Sequence, residues 1–190
     1  MIDSYRIIEH FYPDDTALRR LLLKHSMQVR DRALAILDKL APGIVCVDRM
    51  LVENGAMLHD IGIIQCHAPK ILCNGQRPYI AHGICGAEML RRYGVQEKLD
   101  LEAYARICER HTGSGITMRE VLAQHLPIPV KDYLPETPEE KLVCLADKFY
   151  SKSGDMREES PEQVRRELAH FGQDTLQRFN EMMKLFQLED

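Results

Sequence analysis

Histidines occur along this chain at positions where the apolar pattern of a predicted helix points into the core. His25 shares one helical stripe with Leu22 and Val29, and His59 lies in line with Ala56. An isolated inward histidine is usually a hydrogen-bonded core residue. These positions therefore gain meaning only if other polar groups point to the same place.

Other segments of the chain also direct polar side chains inward. His111 follows Ile107 on one predicted helix, Asp147 follows Val143 on another, and His82 begins a short one. Each desolvated polar group without a partner costs about 1 to 3 kcal/mol, so several such groups must meet one another or a cation. Mixed imidazole and carboxylate ligands suit one or two divalent ions of Fe, Mn, Zn, Co or Ni. The pattern predicts a shared metal site.

The adjacent pair His59 and Asp60 is the most informative part of this pattern. Neighbouring residues on a regular helix point about 100° apart, so both reach one ion only where a helix ends. Gly62 follows two residues later and is expected to give the backbone the freedom to turn. We therefore expect the helix to end here and both side chains to face the metal.

The elements that must position these residues are helices. Apolar residues recur at helical spacing along most of the chain, and no convincing period-two alternation predicts a strand. The predicted helices cover about 15–40, 48–62, 82–94 and 99–110, with further starts at Thr117, Thr137 and Ser160. Gly94 is expected to end the third helix, Gly172 to kink the last one, and residues 65–81 to be irregular. The predicted fold class is all-α, a single-domain bundle of about six or seven helices over residues 1–190.

Composition excludes several functional classes. The 25 basic and 29 acidic residues give a net charge of −4 and a pI near 6.1, which argues against dedicated nucleic-acid binding. No apolar run approaches the ~18 residues of a membrane span, and the acidic start MIDSYRIIEHFYPDD is unlike a signal peptide. We therefore expect a cytoplasmic protein without membrane association.

The order of these residues resembles a known family. His25 lies in LLLKHSMQV, His59 and Asp60 begin the tetrapeptide HDIG, and Asp147 lies in CLADKFYSK. This arrangement resembles the HD superfamily of metal-dependent phosphohydrolases, specifically its HDIG branch. The resemblance covers about residues 18–152 and implies an HD-domain-like fold, on which we expect residues 153–190 to pack as a helical extension.

Two further histidines extend the resemblance to members that hold two metals. His82 in YIAHGICG and His111 in ICERHTGSG match the additional ligand positions. The implied ligand sets are His25, His59, Asp60 and Asp147 for one ion, and Asp60, His82 and His111 for the other. The second set is also the implied catalytic set, with Asp60 bridging two ions that hold a hydroxide for attack on phosphorus. One ion or two remains open at this point.

The chain departs from the family at one position. Many HDIG members have Lys three residues after the Asp, in a role commonly assigned to phosphate contact or proton transfer, whereas this chain has Ile63. The role must then be absent or supplied from elsewhere. The candidates for substrate binding, all near the ligand segments, are Arg77, Lys70, Lys148, His67 and Tyr79.

The function expected from these features is divalent-metal-dependent hydrolysis of a phosphoester or phosphoanhydride in a small nucleotide or related phosphorylated metabolite. Two alternatives stay open. The same ligands serve di-iron oxygenases of the HD type, and Ile63 favours a metal-bearing ligand-binding protein without turnover. Met182 and Met183 in the last helix are interpreted as core packing or as the interface of a homodimer.

Overall fold

The computed structural model describes residues 2–188. Its α-helices are α1 (Ser4–Phe11), α2 (Ala17–Lys39), α3 (Arg49–Leu58), α4 (His82–Glu97), α5 (Glu102–Arg110), α6 (Met118–Ala123), α7 (Pro138–Asp147), α8 (Pro161–Ala169) and α9 (Gln173–Leu185). Its strands are β1 (Cys66–Ala68), β2 (Cys73–Asn74) and β3 (Arg77–Pro78). Short 3₁₀ turns cover Ile61–Gln65, Pro69–Ile71 and Tyr79–Ala81.

The predicted all-α fold class is confirmed, although residues 2–188 contain nine α-helices, two more than the highest number expected. One addition is α1, which Asp3 caps by accepting the backbone N–H groups of Tyr5 and Arg6. The other arises because the last predicted helix divides into α8 and α9. Gly172, at φ +123°, adopts a conformation that a helix cannot include, so it separates the two instead of kinking one.

The stretch 65–81, predicted to be irregular, contains a small sheet. Its strand order is β2-β1-β3, with β1 antiparallel to β2 and parallel to β3. Strands of two or three residues are too short to produce a visible period-two pattern, which is why the sequence did not reveal them. The sheet leads through the turn Tyr79–Ala81 directly into α4.

Gly94 does not end α4, contrary to the prediction. The helix continues to Glu97, and Lys98 takes the left-handed conformation with φ 56°. The carbonyl of Gly94 accepts the N–H groups of Lys98 and Leu99, and a side chain at Gly94 would press against the Leu99 carbonyl. The glycine thus lies inside the last turn of α4, because the chain folds back over it there. The residue at the C-terminal end of the helix is Lys98.

The helices pack into two main apolar clusters, with α2, α3 and α5 contributing to both. One cluster joins α2, α3, α5, α7, α8 and α9, with Val29, Ala56, Val143, Phe179 and Met183 in its interior. Met182 is 4% and Met183 1% exposed, so both are core residues, one of the two interpretations of the sequence. No helix within residues 2–188 combines the length and apolar composition needed to cross a membrane.

Candidate metal centre

Helix ends meet at one buried point of the fold. His59 follows the last residue of α3, His82 is the first residue of α4, His111 follows α5, and Asp147 is the last residue of α7. His25 reaches the same point from within the long helix α2. Each of these side chains is 6% exposed or less. The structure thus shows the inward placement that the apolar stripes predicted.

The first group of side chains surrounds one carboxylate oxygen of Asp60. Oδ2 of Asp60 lies 3.2 Å from Nε2 of His25 and 3.3 Å from Nε2 of His59. Oδ1 of Asp147 lies 2.9 Å from the same atom of His25 and 3.4 Å from that of His59. The four side chains offer ligand atoms within 4.8 Å of one another, close enough to hold one ion.

A second group surrounds the other carboxylate oxygen of Asp60. Its Oδ1 lies 3.4 Å from Nε2 of His82 and 3.4 Å from Nε2 of His111. The two imidazole nitrogens lie 3.0 Å apart. The structure thus brings together both sets of residues that the resemblance implied, and Asp60 belongs to both.

Backbone carbonyls orient three of the imidazoles. Nδ1 of His59, His82 and His111 each lies 2.7 Å from a carbonyl three residues earlier in the chain. In the neutral ring Nδ1–H then donates to that carbonyl, and Nε2 presents a lone pair to the interior. This arrangement fixes the tautomer and ring orientation that metal-binding histidines need.

The resulting cluster consists of acceptors facing one another. Nε2 of His82 faces Nε2 of His111, and Oδ1 of Asp60 is buried and accepts no hydrogen bond within residues 2–188. Buried acceptors without donors cost about 1 to 3 kcal/mol each, and a cation between them removes that cost. The donor set therefore fits a divalent metal, with imidazole and carboxylate ligands suited to Fe, Mn, Zn, Co or Ni.

Burial and charge act in opposite directions on these groups. Burial lowers the pKa of His82 to about 3 and also lowers that of His111, which keeps both rings neutral as ligands must be. Burial also lowers the pKa of His59, but the carboxylates of Asp60 and Asp147 outweigh it and raise the pKa to about 9. In the metal-free protein, protonated His59 thus supplies positive charge that partly balances the carboxylates of Asp60 and Asp147.

Two lysines supply positive charge to the carboxylates. Burial opposes ionisation of Asp147, but the ammonium groups of Lys148 and Lys152 hold its pKa well below the usual range. Lys148 places Nζ 2.8 Å from Oδ2 of Asp147. The ammonium of Lys152 acts with His59 in the same way on the pKa of Asp60. Both aspartates are therefore ionised, the state in which they bind metals.

Gly62 serves a different purpose from the one expected. Its φ is not in the left-handed region, and His59 still has helical backbone angles. A Cβ at Gly62 would instead collide with the backbone of α4 at His82 and Gly86. The glycine allows the turn after α3 to touch the start of α4, and this contact brings His82 close to Asp60.

The substrate-binding candidates separate into two sets. Tyr79 and Lys148 line a cleft of about 360 Å³ that opens beside His82 and Asp147, and the Tyr79 ring stacks on that of His82 with centroids 4.7 Å apart. Lys70, His67 and Arg77 are exposed, and the cleft lining within residues 2–188 does not include them. Substrate contact by those three stays a prediction.

Lys152 is the residue that sequence reasoning missed. It lies in the loop after α7, lines the same cleft, and places Nζ 2.6 Å from Oδ2 of Asp60. Ile63, at the position where the HDIG pattern often has Lys, is fully buried in an apolar cluster. The only sequence signal was a lysine five residues after Asp147, and a loop lysine is normally solvated.

Comparison with known proteins places the chain in a family. Residues 22–151 match the HD domain family. The chain is 41% identical over 131 residues to a tRNA (cytidine(56)-2'-O)-methyltransferase of Picrophilus torridus, covering 69% of this chain and 32% of that protein. It is 46% identical over 101 residues to an uncharacterized protein of Methanocaldococcus jannaschii, covering 53% and 49%. The chain thus spans about a third to a half of the length of these relatives.

Among solved structures, the HD domain of the L. monocytogenes phosphodiesterase PgpH is similar to this chain. The identity is 16% and the TM-score 0.48, over 92% of this chain and 97% of that one. The complex of that domain with cyclic-di-AMP has the same identity and TM-score, over 89% and 90% of the chains. The family match covers more than half of the chain and includes every residue of the His/Asp cluster. The chain therefore belongs to the HD domain family.

Proposed function

We propose that this protein is a divalent-metal-dependent phosphohydrolase that cleaves a phosphoester or phosphoanhydride in a small nucleotide or related phosphorylated metabolite. The observation that carries the proposal is the pair of buried His/Asp groups that share Asp60 beside an open cleft. Membership of the HD family supports it, because HD domains bind divalent metals.

The ligand residues would hold one ion in each group, with Asp60 fixing the position of both. A divalent ion bound there lowers the pKa of a water molecule and polarises a phosphoryl group. Burial keeps His82 and His111 neutral and their carbonyl partners orient them, so no reorganisation of the rings is needed. The proposed catalytic set is therefore Asp60, His82 and His111.

Lysine side chains complete the proposed site on the cleft side. Lys148 and Lys152 line the cleft, with 14% and 11% of their side chains exposed. Positive charge in a poorly hydrated site stabilises the charge of a phosphoryl group more strongly than in water. We assign to Lys152 the phosphate contact that Ile63 cannot make, which weakens the argument for a ligand-binding protein without turnover.

The methyltransferase name describes a longer relative, of which this chain spans about a third. The aligned segment of 131 residues is longer than the parts of this chain outside 22–151 taken together, so it must include HD-type sequence. We propose hydrolysis, and not methyl transfer, for the region described by the structure.

The test combines metal analysis with an activity screen. Protein purified without chelator is analysed for Fe, Mn, Zn, Co and Ni, and phosphate release is measured from nucleotides, dinucleoside polyphosphates and other phosphorylated metabolites. We expect release that chelation abolishes and that Mn²⁺ or Co²⁺ restores. Full activity of metal-free protein would contradict the proposal. Turnover that requires iron and oxygen would favour the oxygenase, and binding without turnover would favour the ligand-binding alternative.

A further inference from the structure

The cleft beside the metal centre has a second side that lies outside the family match. Its first side carries His82, Asp147, Lys148 and Lys152. The second side, here called the 159–171 wall, consists of Glu159, Val164, Glu167, Leu168 and Phe171. Because the match to the family ends at residue 151, the wall belongs to this chain's own extension. Any group attached to a phosphate at the metal centre would extend toward it.

Phe171 gives the wall an exposed aromatic face. It lies between the end of α8 and Gly172, and it is 63% exposed. The same ring also lines an adjoining, more apolar cavity of about 230 Å³, which shares Thr112 and Gly113 with the cleft. A single exposed phenylalanine needs no explanation by itself. Here it continues the surface of the candidate active site, where a flat ligand would bury it.

The wall is also acidic. Oε2 of Glu159 is buried and has no hydrogen-bond partner among the described residues. Glu159 and Glu167 both line the cleft, and burial together with the carboxylate of Glu167 raises the pKa of Glu159. Within residues 2–188 neither glutamate forms a salt bridge, and the cleft lysines place their ammonium groups 2.8 and 2.6 Å from Asp147 and Asp60 instead.

These features give the two sides of the cleft opposite preferences. The lysine side attracts a phosphoryl group. The carboxylates of the wall accept hydrogen bonds from hydroxyl or amino groups but repel a second phosphate. The leaving group of a phosphoanhydride is itself a phosphate, whereas a phosphate monoester releases an uncharged alcohol once the departing oxygen has taken a proton.

We propose that the 159–171 wall is the leaving-group subsite and that it selects phosphate esters of aromatic-bearing alcohols, such as nucleosides, over phosphoanhydrides. In the reaction the oxygen of water bonds to phosphorus, the P–O bond to the alcohol breaks, and the departing oxygen takes a proton. Phe171 stacks on the flat group, and Glu159 and Glu167 accept hydrogen bonds from its donors. This assignment rests on the proposed function and narrows it to one substrate class.

The test compares three substrates with metal-loaded protein: adenosine monophosphate, methyl phosphate, which lacks an aromatic group, and adenosine diphosphate. We expect kcat/KM for adenosine monophosphate to be at least about tenfold higher than for methyl phosphate or adenosine diphosphate. Stacking of one base on an aromatic side chain is worth about 1 to 3 kcal/mol. Phe171→Ala should reduce the ratio of kcat/KM for adenosine monophosphate to that for methyl phosphate about tenfold. Tyr5→Ala, at another half-exposed aromatic residue, is the matched control and should leave this ratio unchanged.

The acidic part of the wall is tested with the double variant Glu159→Gln, Glu167→Gln, which preserves shape and removes charge. It should raise kcat/KM for the diphosphate relative to the monophosphate by about tenfold. A wild-type preference for the diphosphate, or an equal loss for all substrates in Phe171→Ala, would overturn the subsite assignment alone. If the wild type hydrolyses none of the three but releases phosphate from another compound of the broader screen, the subsite assignment fails and the proposed function stands. If no compound of that screen is hydrolysed with any divalent metal, both fail.

Discussion

The ammonium group of Lys152 lies 2.6 Å from Oδ2 of Asp60, the carboxylate that belongs to both His/Asp groups. It is also 3.9 Å from Oδ1 of Asp147, and only 11% of the side chain is exposed. The HDIG pattern that this sequence resembles often has a lysine three residues after the aspartate, but here that position is Ile63, which is fully buried. A loop residue thus brings positive charge to the site from a different part of the chain.

Lys152→Met should lower kcat for phosphate release by about 10²-fold, the usual effect of removing one group that stabilises charge in the transition state. Metal content should be unchanged, because no ligand is removed. Both are measured on the same preparation, by steady-state kinetics and by elemental analysis. Lys152→Arg should recover part of the rate, since it restores the charge with a different shape.

The control for this prediction is Lys39→Met, at an exposed residue at the end of α2. It should leave kcat unchanged. If Lys152→Met keeps full activity and only binds metal more tightly, Lys152 merely compensates the two aspartates and has no role in the reaction.

The sharing of Asp60 predicts unequal effects of removing ligands. Asp60→Ala should lose both ions and all hydrolysis, whereas His111→Ala should lose only the ion of its own group, so that the metal to protein ratio falls from about two to about one. Elemental analysis and circular dichroism distinguish ligand loss from unfolding. Retention of full activity by Asp60→Ala would contradict the proposed metal site.

Gly62→Ala should destabilise the fold by about 2 kcal/mol or more, because its Cβ would collide with backbone atoms of α4 that cannot move aside. The midpoint of denaturant unfolding measures the effect. Gly55→Ala is the matched control, since there the new Cβ meets only the side chain of Ile107, which is able to shift. Equal losses in the two variants would show that the contact between the turn and α4 is not tight.

Glu120 links α6 to α9 through Arg178, whose Nη2 lies 2.8 Å from its carboxylate. Although burial opposes ionisation, the hydrogen bond from Arg178 lowers the pKa of Glu120. A lowered pKa stabilises the folded protein above the unfolded value near 4.5, and this contribution is lost as the pH falls through the folded value. Glu120→Gln should therefore cost about 1 to 2 kcal/mol at pH 7 and much less at a pH below the folded pKa of Glu120.

Denaturant unfolding of wild type and Glu120→Gln at both pH values measures this difference, and Gln at this position retains the capping box with Thr117. Glu97→Gln, at an exposed position, should show neither effect. If Glu120→Gln lowers the free energy of unfolding by the same amount at both pH values, the ion pair with Arg178 is not the cause of that loss. The measurement also probes the proposal that residues 153–190 pack on the rest of the chain as one domain.

Local sequence rules predicted much of what the structure shows. The helix starts predicted at Thr117, Thr137 and Ser160 are confirmed. Each is a capping box, in which the side chains and backbone N–H groups of two residues three apart bond reciprocally, so the signal is local. The inward positions of His25 and His59 followed from helical periodicity, which a single segment determines. That α4 ends at Lys98 and not at Gly94 was not predictable, because the end of this helix depends on how the next segment folds back.

The sequence by itself determined the all-α class, the residue types of the cluster and the family, since helical period and short motifs are properties of neighbouring residues. Only the tertiary structure decided that Lys152 contacts Asp60 and that Gly62 serves the contact with α4. It also decided that Phe171 and Glu159 face the cleft. These relationships join residues far apart in the chain, and their positions depend on packing between helices that no local pattern records.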